Sequence, residues 1–371
     1  RVCALRSSYE GSESDMKEYE GDLVVSPSHF ITEEDAKHFV IDNVPIKKAT
    51  AYGHLRQLIK SGKYDVFYNL CDGAKDEDRA GEEVVKTLEE FKCAFTGAVS
   101  KYYEISKPDM KMIAHYEHIK TAASAVIEEV AEVERRCAHM TFPVIIKHIS
   151  GYSSVGMTKD CKCPDMDHLK KRVAKFLDEY QVALVEEFID GDEVTVLACA
   201  DSSAPDGIRM FHPVMINFPE GEDFKHFDLK WCCFEDMQWF PVPHDYPALE
   251  EIKSIGKKAF KHMMGGVGYG RCDLRINRAT GEAVFLEINP NCGIMYPPGE
   301  EGSADWILKL ESPTAHRDFA KLQIQEAIAR QRRERPLFKK DFLPAKGYFL
   351  IAQERIAKGQ LIMANEGRAF R

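Results

Sequence analysis

The densest chemistry in this 371-residue chain lies between Arg271 and Asn289. Arg271-Cys-Asp-Leu-Arg-Ile276 alternates strictly, which puts Arg271, Asp273 and Arg275 on one face of a strand and Cys272, Leu274 and Ile276 on the other. A turn containing Thr280-Gly281 follows. Phe285, Glu287 and Asn289 then share one face, while Val284, Leu286 and Ile288 share the other. Folded as an antiparallel hairpin, the two strands bring Asp273 close to Glu287 and Asn289, with the register open by about one residue. Two carboxylates so placed repel, and their pKa values rise unless a cation sits between them. Oxygen ligands at this density suit Mg²⁺, which takes one or two carboxylates and completes its shell with phosphates. The same acids also fit the solvent-facing side of an ordinary hairpin, and spacing alone leaves both readings open.

Two further segments offer matching chemistry. Lys147 ends an apolar run and is followed by Ser150-Gly151-Tyr152-Ser153-Ser154-Val155-Gly156, a point charge and a Gly/Ser loop whose backbone N–H groups suit phosphates. Val185-Glu186-Glu187-Phe188-Ile189 reads as a strand whose edge can meet a base, with Glu193 beyond the next turn. His115 and His118 share a helix face but have no acidic or thiol partner nearby, so no metal site is expected there. The eleven cysteines include no C-x-x-C pair, and Cys3, Cys199 and Cys272 sit in apolar runs as small hydrophobes. A reduced, cytoplasmic protein is expected.

The elements that must hold these groups follow from the hydrophobic pattern. Residues 2–5 and 65–70 read as strands, and Val84, Val85, Leu88 and Phe91 recur at helical spacing. Such alternation argues for an open parallel sheet. From about residue 106 the pattern changes. Residues 110–118 look helical, 128–134 form a Glu-rich solvated helix or edge, and 142–146 make a strand. An amphipathic helix is expected over 167–180. Strands 182–189 and 194–200 are joined by Asp190-Gly191-Asp192, a turn that predicts a hairpin. The aromatic-rich stretch 217–240 has no steady period and reads as a lid or binding loop.

Composition sets the bounds. With 44% hydrophobic and 30% charged residues the chain is an ordinary globular protein of two or three packed units. No run approaches the roughly 18 apolar residues of a helical membrane span, and disorder is excluded as the dominant state. From residue 312 onward 13 basic residues face 6 acidic ones, a net +7, so the first 311 residues carry −17. So acidic a body disfavours nucleic acid.

Six segments, in order, resemble the ATP-grasp superfamily, most closely its D-alanine–D-alanine ligase-like branch. They are Lys107-Pro-Asp-Met-Lys111, Pro143-Val-Ile-Ile-Lys147, Ser153-Ser-Val-Gly-Met157, Val185-Glu-Glu-Phe-Ile-Asp-Gly-Asp-Glu193, Gly270-Arg-Cys-Asp273 and Leu286-Glu-Ile-Asn289. The resemblance implies a mixed α/β and α+β architecture, an ATP-grasp fold behind an N-terminal open parallel-sheet (pre-ATP-grasp) domain. The units would be 1–105, a central subdomain 106–193, a C-terminal subdomain 194–311, and a helix with appended strands over 312–371. It implies ATP contacted by Lys111 and Lys147, by Glu186, Glu187, Phe188 and Ile189 along the base, by Glu193 at the ribose, and by Leu286. Asp273, Glu287 and Asn289 would hold Mg²⁺, two ions with Mn²⁺ as a substitute. Ser153 and Ser154 are similar to the family's mobile phosphate loop, Ser153 on the nucleotide and Ser154 among the catalytic residues. Lys230, in His226-Phe-Asp-Leu-Lys230-Trp231, matches a lysine of the second closing loop. Arg271 and the Gly293 N–H would stabilise a tetrahedral intermediate, and Glu10 would hold the amino group of the first substrate.

The activity implied is an ATP-dependent carboxylate–amine ligase working through an acyl phosphate on small amino acids or similar molecules. The expected partners are small-molecule substrates and a second copy in a homodimer, with neither nucleic acid nor membrane. Two substrate segments depart from the family. Ser7-Ser8-Tyr9-Glu10-Gly11-Ser12 replaces a glycine-rich loop, and Pro297-Pro298 stands where peptidoglycan ligases place a serine. The rival readings are ligation onto a protein, and a nucleotide-binding regulatory module attached to a SET-type methyltransferase. The latter arises because residues 346–352 and 356–362 resemble the opening strands of a SET domain.

Overall fold

The run Val-Cys-Ala-Leu-Arg-Ser forms strand β1 (Val2–Ser7), buried at nearly every position. A central parallel strand is covered on both faces and reads as a continuous apolar run. The computed structural model describes residues 1–13, 17–21, 23–75, 77–150, 156–227, 229 and 237–334, and the backbone of four strands beyond them. β1 lies between β2 (Ile41–Ile46) and β3 (Val66–Leu70), parallel to both. Parallel neighbours need a crossover, and helix Ala51–Lys60 lies in the one between β2 and β3.

Alternation then assigns the two faces of this sheet. Cys3 and Leu5 meet Leu55, Val84, Val85 and Leu88. Val2 and Ala4 join Tyr68 and Leu70 under Phe319, Ala320, Ile324 and Ala327 of helix Ala315–Glu334. The helix expected to open a separate C-terminal segment is therefore part of the core. Arg330 fastens its far end by donating to Phe95 O at 2.7 Å. Ser312, shortly before this helix, ends the preceding one, Ser303–Glu311.

A second sheet takes β4 (Ser124–Ile127), β5 (Val144–His148), β6 (Lys162–Cys163) and β7 (Ala183–Glu187) in the antiparallel order β4-β7-β5-β6. Helix Met166–Tyr180 lays Leu169, Val173 and Phe176 on it. Asp165 caps that helix by accepting from His168 N at 2.9 Å, a contact worth about 1 kcal/mol.

The third sheet holds β8 (Gly191–Ala200), β9 (Ile208–Met210), β10 (Val214–Asn217), β11 (Gln238–Pro241), β12 (Tyr269–Asn277) and β13 (Ala283–Pro290). Its order is β11-β10-β8-β12-β13, with β9 beside β8. The hairpin expected at Asp190-Gly191-Asp192 is not formed, because β7 and β8 belong to different sheets. Gly191 explains the difference. At φ +148° it packs so closely on β12 that a Cβ would lie 1.8 Å from Ile276 O. The turn thus hands the chain from one sheet to the next.

One face of the third sheet packs Val194, Val196, Cys272, Leu274 and Ile288 on Ile252, Ile255, Ala259 and Phe260 of helix Leu249–Met263. Met110 and Ala114 of helix Lys107–Tyr116 enter this same core, so that helix sits with the third sheet rather than with the strands at 124–187. The opposite face is divided. Leu197, Cys199 and Tyr269 pack toward the first sheet, and Glu193, Thr195, Arg271 and Asp273 face a cleft.

Beyond residue 334, β14 (Phe338–Leu343) pairs with β15 (Gly347–Ala352), and β16 (Met363–Asn365) with β17 (Arg368–Phe370). The SET-like run 356–362 lies outside the described residues. Among the described residues no helix is long and apolar enough to cross a membrane.

Candidate active site

Strands β12 and β13 build one wall of the site. Asp273 stands opposite Glu287 and Arg271 opposite Asn289, and a bulge follows at Leu274. Leu274 pairs with Phe285, so Leu286 is the extra residue. A bulge re-aims side chains by breaking the period of two. Strict alternation had put Phe285 on the face of Glu287; instead Phe285 enters the core. Leu286 and Glu287 consequently both line the cleft.

The opposite wall of the cleft comes from β5 and β7 and the residues just after β7, with Lys147, Glu186, Glu187, Phe188 and Ile189. Glu186 is only 2% exposed. It holds Lys147 Nζ and Lys111 Nζ each at 2.7 Å, one on each oxygen. Burial alone would raise its carboxyl, but Lys147 and Lys111 outweigh burial and hold it at about 2. In return, Glu186 keeps the Lys147 ammonium above its ordinary value against the opposite pull of burial.

The acids of the other wall are paired as closely. Arg271 grips Asp273 with Nε at 2.9 Å and Nη2 at 2.8 Å, the strong two-pronged arrangement of a guanidinium on a carboxylate. Thr195 Oγ1 donates to the same carboxylate at 2.7 Å and Asn289 Nδ2 at 3.0 Å. Burial pushes Asp273 upward, yet Arg271 holds it well below the usual carboxylate range. Lys107 Nζ lies 2.9 Å from Glu287. There too burial raises the carboxyl, and Lys107 brings it below its ordinary value against repulsion from Asp273. Glu193 is held by Lys225 at 3.0 Å and Arg275 at 3.5 Å. Arg275 also lies over the Phe188 ring at 4.6 Å and donates to Ile189 O at 2.8 Å.

Asp273 and Glu287, facing each other with the amide of Asn289 beside them, supply the hard oxygens that Mg²⁺ takes. Among the described residues no group of three or more His, Cys, Asp or Glu has metal-holding geometry. The fit thus rests on two carboxylates, an amide and the phosphates of a substrate.

One cleft therefore gathers Lys147, Glu186, Glu187, Phe188, Ile189, Glu193, Arg271, Asp273, Leu286, Glu287 and Asn289. Lys111 stands behind Glu186 and donates to Ala122 O at 3.1 Å. Of the two lysines on that helix, Lys107, four residues earlier, is the one that lines the cleft. Gly293 falls in a smaller cavity, with Ser7, Tyr9, Asp72 and Tyr296. Glu10 lines neither space; it is exposed and ion-paired to Lys47 at 2.8 Å. Ser153, Ser154 and Lys230 lie outside the described residues.

Sequence reasoning missed Lys107, Thr195 and Lys225, and left Arg275 without a role. Helical spacing from Lys111 was the available signal for Lys107. The alternation already placed Arg275 beside Asp273. Lys225 lies in an aperiodic stretch and offered none.

The family profile described as D-ala D-ala ligase C-terminus matches residues 103–296. The D-alanine–D-alanine ligase of Xylella fastidiosa is 27% identical over 252 residues, 65% of this chain and 76% of that protein. That of Pseudomonas fluorescens is 25% identical over 240 residues, 64% and 69% of the two. Among solved structures, the D-alanine–D-alanine ligase of Bacillus anthracis complexed with ATP superposes with a TM-score of 0.63 at 15% identity, covering 90% of this chain and 99% of that one. The VanG D-Ala:D-Ser ligase of Enterococcus faecalis gives 0.62 at 15% identity, covering 89% and 99%.

Proposed function

Because the chain belongs to the D-ala D-ala ligase C-terminus family, we propose that it is an ATP-dependent ligase that joins the carboxylate of one small amino acid, or a similar molecule, to the amine of another. Its fold is the ATP-grasp fold behind a parallel-sheet domain, as the sequence led us to expect. One observation carries the reading. Asp273, Glu287, Asn289 and Arg271 face Lys147 and Glu186 across a single cleft.

The residues divide the work by charge. Lys147 and Lys107 offer ammonium groups to the phosphates of ATP, and Lys111 holds Glu186 in place behind them. Ile189 and the strand before it meet the base, with Leu286 against its face, and Glu193 takes the ribose. Asp273, Glu287 and Asn289 would hold Mg²⁺. When bound, that ion offsets the charge of the triphosphate. The substrate carboxylate accepts the γ-phosphoryl group, and the amine of the second substrate then attacks the acyl carbon as phosphate leaves. Arg271 stabilises the oxyanion formed in that attack, with the Gly293 N–H as second donor; one such donor contributes roughly 3–4 kcal/mol. The smaller cavity beside Gly293 receives the amine substrate.

ADP release with Mg-ATP, measured across pools of amino acids and amines and followed by product mass, tests the reading. Stimulation by a pool, with a product one water lighter than its two parents together, supports it. ATP binding with a flat response to every pool would favour the regulatory alternative.

A further inference from the structure

The segment 291–302 forms the wall of the smaller cavity through Asn291, Cys292, Gly293, Ile294 and Tyr296. Its backbone is unusual. Asn291 and Met295 have φ of +49° and +66°, in a region that residues with a side chain rarely adopt. Such geometry persists only where neighbouring groups over-determine it.

Those neighbours converge on one carboxylate. Asp305 is 0% exposed, at the third position of helix Ser303–Glu311. Its Oδ1 accepts from Met295 N at 2.8 Å, and its Oδ2 from Tyr296 N at 3.4 Å and Gly302 N at 3.3 Å. An aspartate at this helical position ordinarily satisfies only the amides of its own helix start. Here it also reaches back over ten residues to hold the loop. His316 Nε2 lies 3.0 Å from Oδ1, and its ring stacks on Phe30 with centroids 4.1 Å apart. From the N-terminal domain, Ser26 N donates to Met295 O at 2.9 Å.

We propose that Asp305 and His316 are positioning residues that clamp the 291–302 segment in the shape that aims the Gly293 N–H at the amine-side cavity. This rests on the ligase reading above and adds to it the residues that set the acceptor side. Asp305 fixes the loop directly, and His316 orients Asp305 while the Phe30 stack orients His316.

The test uses the full chain with Asp305→Asn, His316→Phe and His316→Gln. In Asp305→Asn, amide exchange at Met295 and Tyr296 should quicken by about tenfold or more, as expected when a buried charged acceptor is weakened. Asp305→Asn and His316→Phe should raise KM for the amine substrate about tenfold while KM for ATP stays within about twofold, since loop misplacement harms only the group the loop presents. His316→Gln keeps an N–H donor and should lie close to the unmodified protein. Unchanged exchange, an unchanged amine KM, or parallel rises in both KM values would overturn the proposal. Should Asp305→Asn fail to fold, His316→Phe carries both readouts. If the unmodified protein releases no ADP with any pool, the ligase reading has failed, and the exchange measurement alone upholds or overturns the clamp.

Discussion

Glu287 illustrates how far one side chain governs this site. It is paired to Lys107, faces Asp273 across the strand pair and stands next to the bulged Leu286. Glu287→Gln keeps shape and hydrogen bonding but removes the charge. Substrate-dependent ADP release should fall by about 10²–10³, the size of losing one charge-stabilising group; steady-state turnover is the check, and unchanged turnover would remove Glu287 from the site. Glu186 yields a pH prediction. Its folded value of about 2 lies below the ordinary 4.5, so its stabilisation is complete above pH 4.5 and is lost as pH falls toward 2. Thermal unfolding followed across that window should show a shallower acid limb in Glu186→Gln, which has no proton to take up there. An equally steep limb would show that Glu186 does not drive the acid sensitivity.

At the scale of elements, Gly191 is the position where the fold turns from one sheet to the next. Gly191→Ala should destabilise the protein by at least about 1–3 kcal/mol through its positive φ, with a further penalty from the clash at Ile276 O. Denaturant midpoints measure this, and a change below a few tenths would contradict the assignment. This position also shows what the sequence could and could not tell. The alternation of β12 was legible, and with it the cleft face of Arg271, Asp273 and Arg275, because period two is a local property of one strand. The partner of β8 was not. Asp190-Gly191-Asp192 has hairpin chemistry, and only contact with β12, some 85 residues later in the chain, decides otherwise. The bulge at Leu286 escaped for the same reason, since it exists only relative to β12. Helix Ala315–Glu334 lies in the basic stretch that the sequence set apart as a separate C-terminal unit. Its stripe of Phe319, Ala320, Ile324 and Ala327 needed the first sheet as its partner to be recognised as core.

Across the whole molecule, the matched segment 103–296 is not a body that stands alone. Leu197, Cys199 and Tyr269 lie within it yet pack on Tyr68 of the first sheet and on Phe319 near the far end of the chain. Cut out by itself, the segment would expose that face as a contiguous apolar patch. Expressed as residues 103–296, it should lack a cooperative unfolding transition, whereas residues 1–334 should show one; a sharp transition of the shorter segment in calorimetry would contradict this. The cleft's charge pairs carry a different consequence. Lys107 with Glu287, Arg271 with Asp273, and Lys147 and Lys111 with Glu186 leave each acid matched before any ligand arrives. Under the proposed function, a cation alone would compete with Lys107 for Glu287, and a triphosphate alone would compete with Glu287 for Lys107, each at a cost in a partly buried cleft. Under that same function, the two together would supply partners for both. The cleft would then act as a lock with two keys, favouring the nucleotide with its counter-ion over either one singly.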